Sequence, residues 1–575
     1  MKKFKTYILV ALMGLSVSSC KDFLTLLPMN EVVLENFWTN ESDVESVLRG
    51  AYAALESGDC VTRMSAWGEW RSDNILYGSE NEGGQSSSSS SNDDVRQFIN
   101  ETIKENNTYT TYLCFYKTIN YANTVLYYAG DVQKKDPNYH KSELRAHQAQ
   151  AIAIRSLCYW YMLRAFRDVP YVTRPSIDDT HDFFIGQTPF NQVLDSLIYD
   201  LDRVKDWAPI HYSSVLTNNK NTSLFTRAAI YAMLADMYLW KGDYDKCIAC
   251  CKFVTKLKKE EYDELFAEKG ASCNITLVDN KYPLINGADA DKTCGRAYTE
   301  IFGSGNSFES LFELYYGTDR SNQFVSSYYN SSSSTIGTIK AYKSAGAANE
   351  LFSKYDTRYY EDINAEGTNY GIFKYVYSKM NYKLENGKLF CPGSDLPGSR
   401  RQQNSAEPNW IIYRYTDVLL MQAEALTMQA KVYENDTLNP SLEPLLKEAF
   451  EIVNAVYNRA IAKDIYPQAE GLDYSKYSTP AKMEDLVFDE RRRELLFEGK
   501  RWFDLVRRYL RENKSEKVYE TVSGKYKGNT KSIQIKFTNP NGLFLPYHQD
   551  EVKINEKLKQ NPAYTSIKED IKKAK

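Results

Sequence analysis

The sequence predicts a mainly α-helical protein in which tetratricopeptide-like helical hairpins support an irregular, loop-rich ligand-binding layer. Three observations carry that expectation. Apolar residues recur at helical spacing over long stretches towards both ends of the chain. Residues 226–254 read as two helices joined by a turn at Gly242-Asp243, with Ala228, Ala229, Ala232, Ala235 and Leu239 along one face. Residues 272–346 lose the period and become rich in Gly, Ser, Asn and Tyr, the composition of loops laid over a scaffold.

Taken in order, residues 31–55 read as a helix with Leu34, Phe37, Trp38, Val44, Val47, Leu48 and Ala51 as its apolar stripe. Asn40 to Ser42 is placed as an internal break or cap, and Gly58 as the closing residue. Residues 67–77 read as loop or short helix. Residues 80–94, with Gly83-Gly84 and six serines from Ser86 to Ser91, read as a flexible surface excursion. Helices follow at 109–131, 141–167 and 189–207, the second stopping at Asp168-Val169-Pro170 because the residue before a proline resists the α region. Further helices are expected at 410–431, 442–462 and 483–511. The tail, 531–564, begins with alternating Ile533, Ile535 and Phe537 and is expected to be extended.

The chain's 575 residues exceed one typical domain, but helical repeats pack into one continuous body. The expected organisation is a signal peptide at 1–19 and a single body at 20–575. Within that body, 20–260 and 410–575 are helical and 261–409 is loop-rich. With 43% hydrophobic and 25% charged residues the body is globular, and after the N-terminus no apolar run approaches the roughly 18 residues of a membrane helix. A net charge of -4 gives no attraction to polyanions, so nucleic acid is not an expected partner. The 45 tyrosines outnumber the 25 Phe and 8 Trp together; each combines a stacking ring with a hydroxyl, although most are expected to pack at helix edges.

A basic start, an apolar stretch at 7–17 and Val17-Ser18-Ser19-Cys20 describe a secretory leader. Nine cysteines follow Cys20, an odd number that leaves at least one outside any pair. Cys247, Cys250 and Cys251 lack a second Cys pair or a nearby His, so they are expected to be packed small residues rather than metal ligands, and no metal is expected. Glu490, Glu494 and Glu498 stack on one helix face. Glycoside hydrolysis uses paired carboxylates, but pairs that face each other across a substrate. An ion-pair lattice explains the stack better, with Arg491, Arg493 and Arg501 neutralising the glutamates and Asp504 paired with Arg508.

Sequence blocks spread from residue 20 to 564 carry a resemblance. Cys20-Lys21-Asp22-Phe23-Leu24 follows the leader, then Glu35-Asn36-Phe37-Trp38 with Asp43. Arg155 and Tyr159-Trp160 lead into Phe166-Arg167-Asp168-Val169-Pro170. Arg414-Tyr415 precedes Ala423-Glu424-Ala425, and Asn454 precedes Arg459-Ala460. Glu490 to Gly499 and Lys500-Arg501-Trp502-Phe503-Asp504-Leu505 form the most specific block, and Gln560-Asn561-Pro562-Ala563-Tyr564 closes the series. In this order and spacing the chain resembles the SusD/RagB family of nutrient-uptake outer membrane lipoproteins, which usually carry Gly where Arg167 stands.

The resemblance implies a SusD-like fold and lipidation at Cys20, with the protein anchored to the outer membrane and facing the exterior. It implies binding of a nutrient, foremost an oligosaccharide, and delivery to a SusC-like TonB-dependent transporter. No catalytic residue or cofactor is implied. The alternatives are a peptide or other non-glycan cargo on the same architecture and, more remotely, a glycoside hydrolase. Sugars offer apolar C–H faces ringed by hydroxyls, so candidate contacts are loops mixing aromatic and polar side chains. Two stretches fit: Trp67, Trp70, Arg71, Asp73, Asn74 and Tyr77, and Tyr315, Tyr316, Asp319, Arg320, Asn322, Phe324, Tyr328 and Tyr329.

Overall fold

Asn40 marks where the first described helix begins. The carboxylate of Asp43 accepts hydrogen bonds from the backbone N–H groups of Thr39 and Asn40, at 2.9 and 3.0 Å, which ties down the entry to α1 (Glu41–Leu55). In the computed structural model the described residues are 37–78, 92–177, 184–216, 218–288, 293–317, 320–329, 337–342, 351–363, 370–385, 388–390, 398–401, 408–432, 437–438, 440–463, 466–526, 528 and 530–565. Cys20, the serine run from Ser86, Asp319 and Cys391 lie outside them. Gly58 does not close α1; it opens the next helix, Gly58–Ser65, where Ser57 Oγ accepts from the Cys60 N–H.

The longest of the described helices form one stack. After α1 come α2 (Leu113–Lys135), α3 (Lys141–Phe166), α4 (Phe190–Val204), α5 (Arg227–Lys241) and α6 (Tyr244–Lys269). The series resumes with α7 (Tyr415–Ala430), α8 (Glu443–Ala460) and α9 (Pro480–Glu494). Each packs on the next in this order, and α7 also packs on α9. The stack therefore runs from α6 directly to α7 although more than a hundred residues of chain intervene. The α5–α6 hairpin shows why the motif forms. Thr226 caps α5, Gly242 ends it at φ +78°, and Asp243 accepts from the Lys246 N–H to start α6. Small buried residues at Ala228, Ala229, Ala232 and Ala235 permit close approach, and Cys247, Cys250 and Cys251 are buried in the same seam as free thiols.

The intervening chain supplies short two-stranded ladders. Strands β1 (Ile75–Tyr77) and β5 (Ile339–Ala341) pair antiparallel, as do β2 (Ile275–Val278) with β3 (Tyr282–Ile285) and β4 (Ser310–Leu314) with β6 (Trp410–Arg414). Residues 410–414 are thus a buried strand leading into α7 rather than helix, as suits a Trp-Ile-Ile-Tyr run buried on both faces. One hydrophobic core reaches from Trp38 to Leu558. Among the described residues, no helix is long and apolar enough to cross a membrane.

Two other differences from the sequence reading have local causes. The 483–511 helix is two, α9 and α10 (Arg501–Arg511), because Phe497 and Gly499 take positive φ values of 64° and 73° between them. Residues 531–538 are helical, not extended. Ile533 and Phe537 are buried four residues apart while Ile535 is 61% exposed, so the period is four rather than two. Residues 66–70 form a π-helical turn whose Gly68 packs against the α9–α10 corner; a Cβ there would lie 1.8 Å from the Gly499 carbonyl oxygen. Gly68→Ala is expected to destabilise the fold by about 3 kcal/mol, the upper end of overpacking costs, because backbone rather than a flexible side chain must move. Urea unfolding of the two proteins measures this, and a loss of under about 0.5 kcal/mol would contradict the close approach.

Candidate ligand-binding face

The three glutamates are buried and paired, but they do not all share one helix face: Glu490 and Glu494 lie on α9, and Glu498 lies past its end in the corner before α10. Glu490 accepts from Arg358 at 2.7 Å and from Arg493 at 2.9 Å. Glu494 lies 2.8 Å from Arg358 and 2.6 Å from Arg414, and also pairs with Arg459. Glu498 is 2.8 Å from both Arg414 and Lys374. Burial by itself raises the Glu494 carboxyl, and the guanidiniums of Arg459, Arg414 and Arg358 reverse this and hold it well below the usual carboxylate range. Carboxylates closed in behind guanidiniums have no open face for a glycosidic oxygen, so the lattice reading of these glutamates stands. Arg493 pairs with Glu490 as expected, and the other partners differ. Arg491 turns instead to Asp417 and Asp504, Arg501 to Asp73, and Asp504 to Arg491 and Arg507, while Arg508 pairs with Asp485. The main cations around these glutamates come from positions 358, 374, 414 and 459, which no local spacing connects to them.

The fold brings the two aromatic stretches together, with the Trp70 ring 5.1 Å from that of Tyr328. In the first stretch the side chains face the interior. Trp67 Nε1 donates to the Tyr109 carbonyl at 2.8 Å. Arg71 bonds Glu101 at 2.5 Å and lies over the Trp502 ring. Asp73 is held by Arg501 and Arg492, whose charges outweigh burial and depress its pKa. Asn74 donates to Glu69 and accepts from Arg492, and Tyr77 packs under the Arg96 guanidinium. In the second stretch Tyr316 donates to the Glu56 carbonyl, Asn322 to that of Pro408, and Tyr329 to that of Phe497, while Phe324 lies edge-on to Trp410. All of these are buried. Tyr315 and Tyr328 are half-buried; Arg320 is exposed and pairs with Glu56 at 2.7 Å.

What remains reachable is a small polar and aromatic face around Tyr328. Its hydroxyl lies 2.9 Å from that of Tyr109, which accepts from Asn92 Nδ2 at 3.3 Å. The Asn92 N–H in turn donates to the Tyr77 hydroxyl at 3.1 Å. Arg63 lies beside Tyr328 and is fixed by the Thr111 carbonyl at 2.6 Å and the Thr108 carbonyl at 2.9 Å. Burial, then the hydrogen bond with the Tyr109 hydroxyl, raises the Tyr328 pKa, so at neutral pH its hydroxyl stays protonated and able to donate and accept. A half-covered ring beside an exposed amide matches a sugar face ringed by hydroxyls, while the Arg63 guanidinium is committed to Thr108, Thr111 and Asp59 and braces the face from within. Asn92, Arg63 and Tyr109 are absent from the sequence-derived set. Tyr109 precedes α2 in a short 3₁₀ turn, Thr108–Thr110, instead of starting the helix, and nothing along the chain links residues 63 and 92 to 328.

Two family models match this chain. One, described as the SusD family, covers residues 305–564; the other, described as starch-binding and associating with the outer membrane, covers residues 22–239. SusD-like protein P38 of Formosa agariphila is 24% identical over 561 residues, spanning 91% of this chain and 95% of its own. A SusD superfamily protein from Bacteroides thetaiotaomicron superposes with a TM-score of 0.61 at 19% identity, covering 92% of this chain and 99% of that one. Surface glycan-binding protein A from the same organism, solved in complex with laminarihexaose, superposes at 0.58 with 17% identity, covering 91% of this chain and all of its own.

Removing one buried glutamate carboxylate tests the lattice. Glu494→Gln leaves three guanidiniums without their shared anion and is expected to cost about 3–5 kcal/mol at pH 7. Because the folded pKa is depressed, the contribution is present above the unfolded value of about 4.3 and is lost as pH falls through the folded value. Unfolding curves at neutral and acid pH should therefore show a deficit that narrows below about pH 4; equal stability at pH 7 would contradict the assignment.

Proposed function

Since this chain belongs to the SusD/RagB family, we propose that it is a surface lipoprotein that binds an oligosaccharide and hands it to a SusC-like TonB-dependent outer membrane transporter. The observation that carries the cargo reading is the Tyr328 face, where ring and amide are presented on a rigid helical frame. The similar Bacteroides thetaiotaomicron protein holds laminarihexaose, which supports a saccharide as the ligand class here. Lipidation at Cys20 would tether the body to the membrane, since several acyl chains together make anchoring durable. Handover sets the affinity: a micromolar dissociation constant, about -8 kcal/mol, retains ligand while still releasing it.

Titration of soluble protein lacking residues 1–20 with neutral glycans, laminarihexaose among them, and with peptides tests the cargo. Tyr328→Ala is expected to weaken glycan binding about tenfold, the loss of roughly 1.4 kcal/mol of stacking, and Asn92→Ala about fivefold. Melting midpoints of both variants control for folding. Peptide binding with no glycan binding would replace the sugar by a peptide cargo, and sugar products released during the titration would revive hydrolysis. Cys20→Ala is expected to move the protein from the membrane to the soluble fraction; undiminished membrane retention would contradict the anchor.

A further inference from the structure

A second cleft, of about 540 Å³, opens where the α5–α6 turn, the start of α4, the end of α10 and residues 540–544 meet. Four rings line it: Phe190, Trp240, Tyr244 and Phe544. All but Phe544 keep accessible surface. Arg167, Lys241, Arg507 and Arg511 supply its charged groups, and no Asp or Glu is among its lining residues. Arg507 and Arg511 are committed to Glu424, at 2.5 and 2.8 Å, and Lys241 to Asp195 at 2.6 Å. Arg167 differs. Its side chain is 49% exposed, 3.9 Å from Asp168, and donates to the Asn541 amide oxygen, a neutral partner, at 2.5 Å.

The backbone at Arg167 makes its presence there conspicuous. It sits at φ +71°, ψ -74°, and the Asp168 N–H donates across it to the Phe166 carbonyl at 3.0 Å. This is a γ-turn of the strained hand, in which a glycine would be at ease and an arginine is not. Among the described residues the guanidinium bonds the Asn541 amide and lies near Asp168 and Tyr547, at the rim of the cleft rather than within the core. Strain retained at a charged residue on a cleft wall is a mark of a site.

We propose that this cleft is a second saccharide site, selective for sugar rings that carry an anionic substituent. The inference rests on the reading of the protein as a glycan binder. Trp240 and Tyr244 would cover the C–H face, Asn191 and Asn541 would bond hydroxyls, and Arg167 would take the anion, leaving Asn541 free to turn to the ligand. A carboxylate and a sulfate ester present the same chemistry to a guanidinium, and the probes separate them.

The test titrates soluble protein lacking residues 1–20 with an oligogalacturonate, a sulfated galactan oligosaccharide and laminarihexaose as the neutral probe. At least one anionic probe should bind, more weakly as salt rises. Trp240→Ala and Arg167→Glu should each lower its affinity at least tenfold, while laminarihexaose affinity stays unchanged. Arg167→Gly should lower it about fivefold with a melting midpoint unchanged or raised, because the turn relaxes as the cation is lost. That opposition of stability and binding is not expected of a residue kept for packing, and a fall in the midpoint would assign Arg167 to packing and overturn the proposal. Anionic binding that survives both Trp240→Ala and Arg167→Glu would also overturn it. Laminarihexaose bound with neither anionic probe bound would sink the cleft alone, and no glycan bound at all would sink the general reading with it.

Discussion

Glu494 stays ionised in the interior only because Arg358, Arg414 and Arg459 surround it, and those three residues come from three distant parts of the chain. Arg358 belongs to the irregular layer, Arg414 ends the strand before α7, and Arg459 lies near the end of α8. A buried carboxylate is costly to desolvate, so the layers cannot separate without stranding charge on both sides. The same logic extends outwards. Asp417 binds Arg491 and Lys500, Glu424 binds Arg507 and Arg511, and Asp73 binds Arg501 and Arg492. Such a network contributes less to net stability than to uniqueness of arrangement, because only one docking of the layers satisfies every member.

That uniqueness positions the candidate ligand-binding face. The π-helical turn at 66–70 is held on one side by its contact with Gly499 and on the other by Asp73 and Asn74, which are fixed by arginines of the α9–α10 region. The Trp70 ring leaves this turn to support Tyr109 and Tyr328 from beneath. Tyr328 therefore does not choose its own orientation. A ring buried on one side and bonded at its hydroxyl loses little freedom when a ligand covers the other side, which favours binding without a large entropic penalty. The ion lattice and the aromatic platform are consecutive links of one chain of support.

The helical stack plays a different part. Its seams are closed by small side chains and free thiols, and its hairpin turns remain at the surface. One of these turns, at Gly242, contributes to the cleft that holds Trp240 and Tyr244. The frame thus presents aromatic residues in two places, one within the irregular layer and one at a hairpin end, with different charge around each.

From the sequence alone came the helical class, the hairpin at Gly242, the stop at Asp168-Val169-Pro170, the family, and the reading of Glu490, Glu494 and Glu498 as structural rather than reactive. These are legible because helical period, caps and breakers act over a few residues and survive in any tertiary setting. Tertiary structure decided the rest. Trp67, Trp70, Phe324 and Tyr329 look locally like loop aromatics, but which side of a ring meets water depends on what packs against it from elsewhere. The partners of the glutamates, the strand at 410–414 and the face shared by Arg63, Asn92 and Tyr328 are all long-range juxtapositions. Burial and charge pairing are properties of contacts between distant segments, and no local pattern encodes them.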